Sequence, residues 1–183
     1  MLEKGNLKYN KTIVVPKGFI RAQRLSPFGK MRFGFARAGR IGSGLAAAYN
    51  LLLMLNRPVP LAELVCEAYK KAKTPLGLLG VHPLRLQRCF SSRYLPVNFE
   101  RSRQAAISKF RPGCKGIIIW WLGRRYFSPL RFAALENDGG SIFVYNGHPE
   151  REETDEFTSF ADIADEKHFA GCYIIDTNGL PFE

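Results

Sequence analysis

The chain has 183 residues, 46% of them hydrophobic, which is enough for one core without disulfides or metals. Its longest apolar run, residues 45–55, is interrupted by Asn50 and is shorter than the roughly 20 residues of a membrane span. A net charge of +11, four widely separated cysteines and no signal-peptide pattern in the first 20 residues predict a reduced, cytoplasmic, basic protein without a membrane span.

The first half of the sequence favours helices. Residues 11–16 predict a short strand, and a loop rich in Gly, Pro and Arg is expected from there to about residue 40. Apolar spacing then predicts helices at residues 44–56, 61–73, 82–91 and 101–110. A turn is expected at residues 75–80 and a short strand at residues 94–98.

The second half favours strands. Continuous apolar runs predict strands at residues 116–122, 130–136, 141–146 and 171–176, with one helix at residues 158–168. Residues 137–140, Asn-Asp-Gly-Gly, are a hairpin turn signal between the second and third of these strands. Helices followed by an antiparallel sheet define an α+β domain, here residues 41–183, preceded by a basic and partly extended arm of residues 1–40.

The charges are distributed unevenly. Residues 1–40 contain ten Lys or Arg and one Glu, whereas residues 136–183 contain two basic and twelve acidic residues. The arm therefore either docks on the acidic C-terminal third or faces an acidic partner or a nucleic acid. Phe28, Phe33 and Phe35 of the arm are compatible with base stacking or with a core, and no nucleic-acid motif accompanies them.

Ser43 lies between Gly42 and Gly44 at the start of the most apolar predicted helix. The free N–H groups and the dipole of a helix start favour an anion or a nucleophile there, while a capping role is the simpler alternative. Residues 42–47 also match the dinucleotide-binding pattern G-x-G-x-x-A. The context does not favour that interpretation, because no apolar strand precedes the motif and no acidic residue ends a following strand.

The segments 42–64 and 116–146 resemble papain-like cysteine peptidases, in the compact bacterial form found in the double-glycine leader peptidase domains of bacteriocin transporters. In that family a nucleophilic Cys begins an apolar helix, a His begins a strand, and an Asp or Asn ends the strand after a hairpin. Residues 57–64 and the Gly-rich residues 77–80 also follow the family order. The resemblance implies a papain-like fold with a helical half before an antiparallel sheet.

Carried over by position, the resemblance assigns Ser43 to the Cys, Arg131 to the His and Asn146 to the Asp or Asn. A serine hydroxyl needs a positioned base, and a guanidinium stays protonated, so Arg131 cannot take its proton. His148 is the alternative base, although it follows Asn146 by two residues and lies 6–7 Å further if the strand continues. An arginine facing the helix start would instead form an anion pocket, since guanidinium and free N–H groups both bind carboxylate or phosphate.

We therefore expect a catalytically inactive, papain-like protein that binds a peptide or small anionic ligand in the former active-site cleft. The expected contacts besides the remnant triad are Arg40, Gly42, Gly44 and His148. No cofactor or metal is expected, because three His and four Cys share no ligand spacing. An active hydrolase with Ser43 as nucleophile, and a binder of nucleic acid or an acidic partner through the arm, remain the alternatives.

Overall fold

The computed structural model describes residues 2–75, 79–93, 95–123 and 128–177, and within them the fold is α+β, as predicted. The helices are α1 (Leu2–Lys11), α2 (Ala38–Ile41), α3 (Ser43–Met54), α4 (Leu61–Lys71), α5 (Gln87–Ser91), α6 (Arg103–Lys109) and α7 (Phe160–Glu166), with a 3₁₀ turn at Pro27–Lys30. The strands are β1 (Arg32–Phe33), β2 (Ala36–Arg37), β3 (Asn98–Glu100), β4 (Cys114–Trp121), β5 (Leu130–Asn137), β6 (Ile142–Tyr145), β7 (Asp155–Phe157) and β8 (His168–Asp176). No helix of the described residues is both long and apolar enough to cross a bilayer.

Six strands form one antiparallel sheet in the order β3-β8-β4-β5-β6-β7, while β1 and β2 form a separate hairpin. Helix α3 packs on β4 and β5 from one face, and α6 and α7 pack on β8 from the other. Because both faces are covered, the central strands are continuous apolar runs rather than alternating ones.

The two faces of the sheet belong to two separate cores. Ile119 and its cross-strand partner Phe132 contribute to the core that includes α3. Ile118 and its partner Ala133 contribute to the core that includes α7. Successive residues of a strand point to opposite faces, so these pairs fix the direction of every other side chain on β4 and β5.

The second half of the chain confirms the predicted elements. The four predicted strands are β4, β5, β6 and β8, and the predicted helix is α7. At the hairpin turn the Asp138 carboxylate accepts hydrogen bonds from the N–H groups of Gly140 and Ser141. Strand β7 was not predicted because its sequence, Asp-Glu-Phe, lies in an acidic segment without apolar alternation.

Three of the four helices predicted in the first half are present as α3, α4 and α6. The helix predicted at residues 82–91 is shorter than predicted: residues 83–86 form turns, and α5 has only five residues. The predicted strand at residues 94–98 begins later, as β3, and Tyr94 lies outside the described residues. The predicted turn at residues 75–80 includes residues 76–78, which also lie outside them.

The strand predicted at residues 11–16 is wrong. Residues 2–11 form helix α1, and residues 13–16 have no regular secondary structure. The buried residues of α1 are Asn6 and Asn10, so the helix presents no apolar face for periodicity to detect.

Those two asparagines hold the β1–β2 hairpin. The Asn10 side chain accepts from the N–H of Arg32 at 2.8 Å and donates to its carbonyl at 2.9 Å. One turn earlier, Asn6 Nδ2 donates to the carbonyl of Gly34 at 2.8 Å. Side chains four residues apart share one helix face, so α1 fixes the hairpin backbone at two points.

Two further buried asparagines bind the backbone of residues 20 and 23. In α3 the Asn50 side chain accepts from the N–H of Ile20 and donates to its carbonyl, both at 2.8 Å. After β6, Asn146 Oδ1 accepts from the N–H of Gln23 at 3.1 Å. These residues therefore lie against the domain through paired buried hydrogen bonds, which burial strengthens.

Candidate functional site

Ser43 is the first residue of α3, and Gly42 occupies the cap position. The alternative that Ser43 caps the helix is therefore wrong. Ser43 is 6% exposed, and within the described ranges its hydroxyl makes no hydrogen bond. Without a base on the hydroxyl, Ser43 lacks the activation that a serine nucleophile needs.

The glycines beside Ser43 have a packing role. A Cβ on Gly42 would lie 2.4 Å from the carbonyl oxygen of Ala38, at the junction of α2 and α3. A Cβ on Gly44 would lie 2.1 Å from Cγ2 of Val81 and 3.5 Å from the ring of Phe132. Both distances to the nearest atom are too short for any side chain, so close packing accounts for the Gly-Ser-Gly pattern without a ligand.

Arg131 leaves β5 on the face opposite α3. Its cross-strand partner is Trp120, and the next residue, Phe132, packs near the start of α3. Because neighbouring residues alternate, the Arg131 side chain starts on the face of Trp120 and Ala133. No hydrogen bond joins it to Ser43 among the described residues, so the expected direct pocket of helix start and guanidinium is not formed.

The link from Arg131 to the helix region is an indirect chain of buried hydrogen bonds. Arg131 Nη2 donates to the carbonyl of Asn146 at 3.0 Å. Asn146 Nδ2 donates to Gln23 Oε1 at 3.2 Å, and Gln23 Nε2 donates to the carbonyl of Gly39 at 3.0 Å. The structure thus brings Arg131 and Asn146 together, and it adds Gln23, which no sequence pattern singled out.

Asn146 adopts a backbone conformation with φ of +63°. Asparagine tolerates this left-handed region better than most residues, and here it directly follows β6, where the chain leaves the sheet. The side chain is fully buried and pairs with Gln23 through two hydrogen bonds. In this structure Asn146 positions the segment around Gln23, and no imidazole is bonded to it in the described part of the chain.

Arg131 carries a buried positive charge. Arg131 is 5% exposed, and burial together with the nearby charge of Arg24 lowers its pKa to about 10. At neutral pH the guanidinium still carries its proton. Its Nε is buried without a hydrogen-bond partner, and no ion pair within the described ranges includes it.

The other expected contact residues lie at the surface. Arg40 is exposed in α2. His148 is also exposed, and its Nδ1 accepts from the N–H of Glu150 at 3.3 Å within the loop after β6. No hydrogen bond joins His148 to Ser43 in the part of the chain that the structure describes. The proposed replacement of the family His by His148 therefore has no supporting contact.

The four cysteines are free thiols. Burial raises the pKa of Cys89 to about 12 and raises that of Cys172 well above its usual range. Burial also raises the pKa of Cys66 and of Cys114, which begins β4. A thiolate is the reactive form of cysteine, so none of these thiols is set up as a nucleophile at neutral pH.

Among the described residues no group of three or more His, Cys, Asp or Glu is arranged to hold a metal ion. The arrangement therefore offers hydrogen-bond donors and one buried positive charge rather than an acid–base pair. Neither a protein-family model nor a curated protein matches the chain.

Proposed function

We propose that this protein is a binding protein rather than a hydrolase: a non-catalytic relative of the papain-like leader peptidases that binds a peptide or another small anionic ligand. The observation that carries the proposal is Arg131, a buried cation at the position where the resemblance expects the histidine. A guanidinium cannot accept the proton of Ser43, but it donates hydrogen bonds to carboxylates and phosphates in a planar, paired geometry.

Physical chemistry supports an anionic ligand. Removing a charge from water is expensive, and buried charges are ordinarily paired. Among the described residues Arg131 makes one hydrogen bond, to a neutral carbonyl, and its Nε has no partner there. An anion that contacts Nε would offset the burial of the guanidinium, and the ligand would then lie on the Trp120 face of β5 rather than at the start of α3.

Two features of the fold agree with the order of elements in papain-like peptidases, and one differs from it. An apolar helix begins at Ser43 and packs on β5, and Asn146 directly follows the strand after the hairpin, close to where the family order places it. The departure is that Arg131 starts on the sheet face opposite α3. A shared ancestry with loss of the catalytic pair accounts for the helix and the strand end, and it does not account for the direction of Arg131.

The test of the non-catalytic character is cleavage of a mixed peptide library, read by mass spectrometry, with the native chain beside Ser43→Ala. We expect no products with either protein, because no base contacts the Ser43 hydroxyl among the described residues. Circular dichroism of both proteins verifies that they are folded. Products that disappear in Ser43→Ala would contradict the proposal and identify a serine-dependent hydrolase.

The test of the ligand class uses Arg131→Met, which keeps the apolar volume and removes the charge. Immobilised native protein is expected to enrich peptides with Asp, Glu or a free carboxylate from the same library, and Arg131→Met is expected to lose that enrichment. Identical peptide sets on the two proteins would contradict a role of Arg131 in binding. Arg131→Lys, which keeps a charge without the planar donor pair, is expected to bind more weakly than the native protein.

Arg131→Met is also expected to raise the free energy of unfolding by about 1–2 kcal/mol in the absence of ligand. Replacing an unpaired buried charge by an apolar side chain of similar size is often stabilising, although the Asn146 carbonyl loses its donor. Urea denaturation measures the difference. A less stable Arg131→Met would show that the guanidinium is already compensated in the free protein, and the anion-binding argument would fail.

A further inference from the structure

The β1–β2 hairpin presents one aromatic ring to solvent. Of the three phenylalanines compatible with base stacking or with a core, Phe28 and Phe33 are fully buried and belong to the core. Phe35 is 73% exposed. It lies in a two-residue turn whose first residue, Gly34, has the left-handed φ of +64° that tight hairpins require.

The hairpin backbone around Phe35 is fixed. Its strands pair at Arg32 with Arg37 and at Phe33 with Ala36, and the N–H of Ala38 donates to the carbonyl of Met31 at 2.8 Å. The side chains of α1 bind the same hairpin at two points, as described above. A ring held on a rigid turn loses little conformational entropy when it stacks on a ligand.

Two arginines lie directly opposite each other on the hairpin. Arg32 and Arg37 are cross-strand partners, so both side chains lie on the same face, and both are exposed. Like charges at such positions destabilise a hairpin. The Arg32 guanidinium also lies over the ring of Tyr9, 4.9 Å from its centroid, and Tyr9 is 41% exposed.

Two more exposed cations lie next to the hairpin in sequence. Lys30 ends the 3₁₀ turn before β1, and Arg40 lies in α2, after β2. Each follows one of two glycines, Gly29 and Gly39, whose backbones are in close contact. None of the four cations has an acidic ion-pair partner among the residues that the structure describes.

We propose that these six residues form a binding surface for single-stranded nucleic acid, the hairpin surface: Tyr9, Lys30, Arg32, Phe35, Arg37 and Arg40. A base stacks on the Phe35 ring, and a phosphate between the opposed arginines relieves their repulsion. The Lys and Arg side chains contact neighbouring phosphates. Proteins that bind single-stranded nucleic acid without sequence preference use exposed aromatic rings for the bases and nearby cations for the phosphates.

The chemistry of the surface favours a single strand over other anionic partners. A duplex needs a helix or ribbon that enters a groove, and a two-residue turn with one ring does not provide one. A membrane surface would match the charges, but one exposed phenylalanine gives little apolar area for insertion. Three of the four cations are arginines, which donate to phosphate in paired geometry and stack on bases.

The experiment is fluorescence anisotropy with a fluorescein-labelled 20-nucleotide oligo(dT), titrated with the full chain at 50 and 200 mM NaCl. The test variant is Arg32→Gln/Arg37→Gln. Its matched control is Arg85→Gln/Arg88→Gln, which removes the same charge from two exposed arginines elsewhere on the surface. We expect the test variant to bind about tenfold or more weakly, with a salt slope smaller by about 1.4, and the control to change less than about twofold.

A third variant isolates stacking from charge. Phe35→Ser is expected to weaken binding about fivefold or more and to leave the salt slope unchanged, because a stacked base is lost and no phosphate contact is. All the substituted side chains are exposed, so we expect every variant to fold, and thermal unfolding verifies this. Equal losses in the test and control double variants would overturn the proposal, because binding would then follow net charge alone.

Two other results of these binding experiments would contradict the proposal. No binding of oligo(dT) at 50 mM NaCl would overturn the proposal. Co-sedimentation with phosphatidylserine vesicles that is lost in Phe35→Ser, without oligonucleotide binding, would assign the hairpin surface to membranes instead. Arg131→Met should bind oligo(dT) like the native chain, so failure of the peptide-binding proposal and failure of this one are distinguishable.

Discussion

Replacing Asn50 by leucine is expected to lower the free energy of unfolding by about 3 kcal/mol or more. The Asn50 side chain is fully buried and satisfies both the N–H and the carbonyl of Ile20. Leucine has a similar size but leaves both backbone groups without partners, and each such group costs about 1–3 kcal/mol. Urea denaturation followed by circular dichroism measures the loss.

The matched control is Asn98→Leu, the same substitution at an exposed position on the edge strand β3. It is expected to change stability by less than about 0.5 kcal/mol. Limited proteolysis adds a structural readout, since loss of the Asn50 contacts should increase cleavage around Ile20. Equal stabilities of Asn50→Leu and native protein would show that the segment around Ile20 contributes little to the fold.

The sequence predicts the second half of this fold well for a physical reason. Both faces of β4, β5 and β8 are covered, so the middle residues of these strands form continuous apolar runs. The first forty residues are held in a different way. Buried Asn6, Asn10 and Asn50 bind backbone groups there, and polar residues contribute nothing to a hydrophobic pattern.

At the candidate site too, the sequence predicts the elements better than the contacts between side chains. The apolar run predicts the helix from residue 44, one residue after its start at Ser43, and the hairpin signal predicts the strand to residue 146, one residue beyond the end of β6 at Tyr145. The direction of Arg131 does not follow, because a shift of one residue along a strand moves a side chain to the other face. Gln23 could not be predicted either, since its partner Asn146 is 123 residues away.

Gly116→Ala is expected to destabilise the protein by about 3 kcal/mol. Gly116 lies in the central strand β4, paired with Leu135 on one side and Ile174 on the other. A Cβ there would lie 2.2 Å from the carbonyl oxygen of Tyr173 and 3.2 Å from the ring of Phe110. The carbonyl belongs to the backbone of β8, so it cannot move away without disturbing the strand pairing, and overpacking of this kind costs about 1–3 kcal/mol or more.

Gly5→Ala is the matched control, because the same added methyl group meets no atom within 4 Å on α1. There the substitution is expected to stabilise the protein by about 0.5–1 kcal/mol, since alanine loses less backbone entropy in a helix than glycine. If Gly116→Ala lowers the free energy of unfolding and Gly5→Ala raises it, the loss at Gly116 is due to close packing, because the change in backbone freedom has the opposite effect. A neutral Gly116→Ala would instead mean that β4 and β8 can separate locally, and their bulge between Ile119 and Trp120 is where that adjustment would begin.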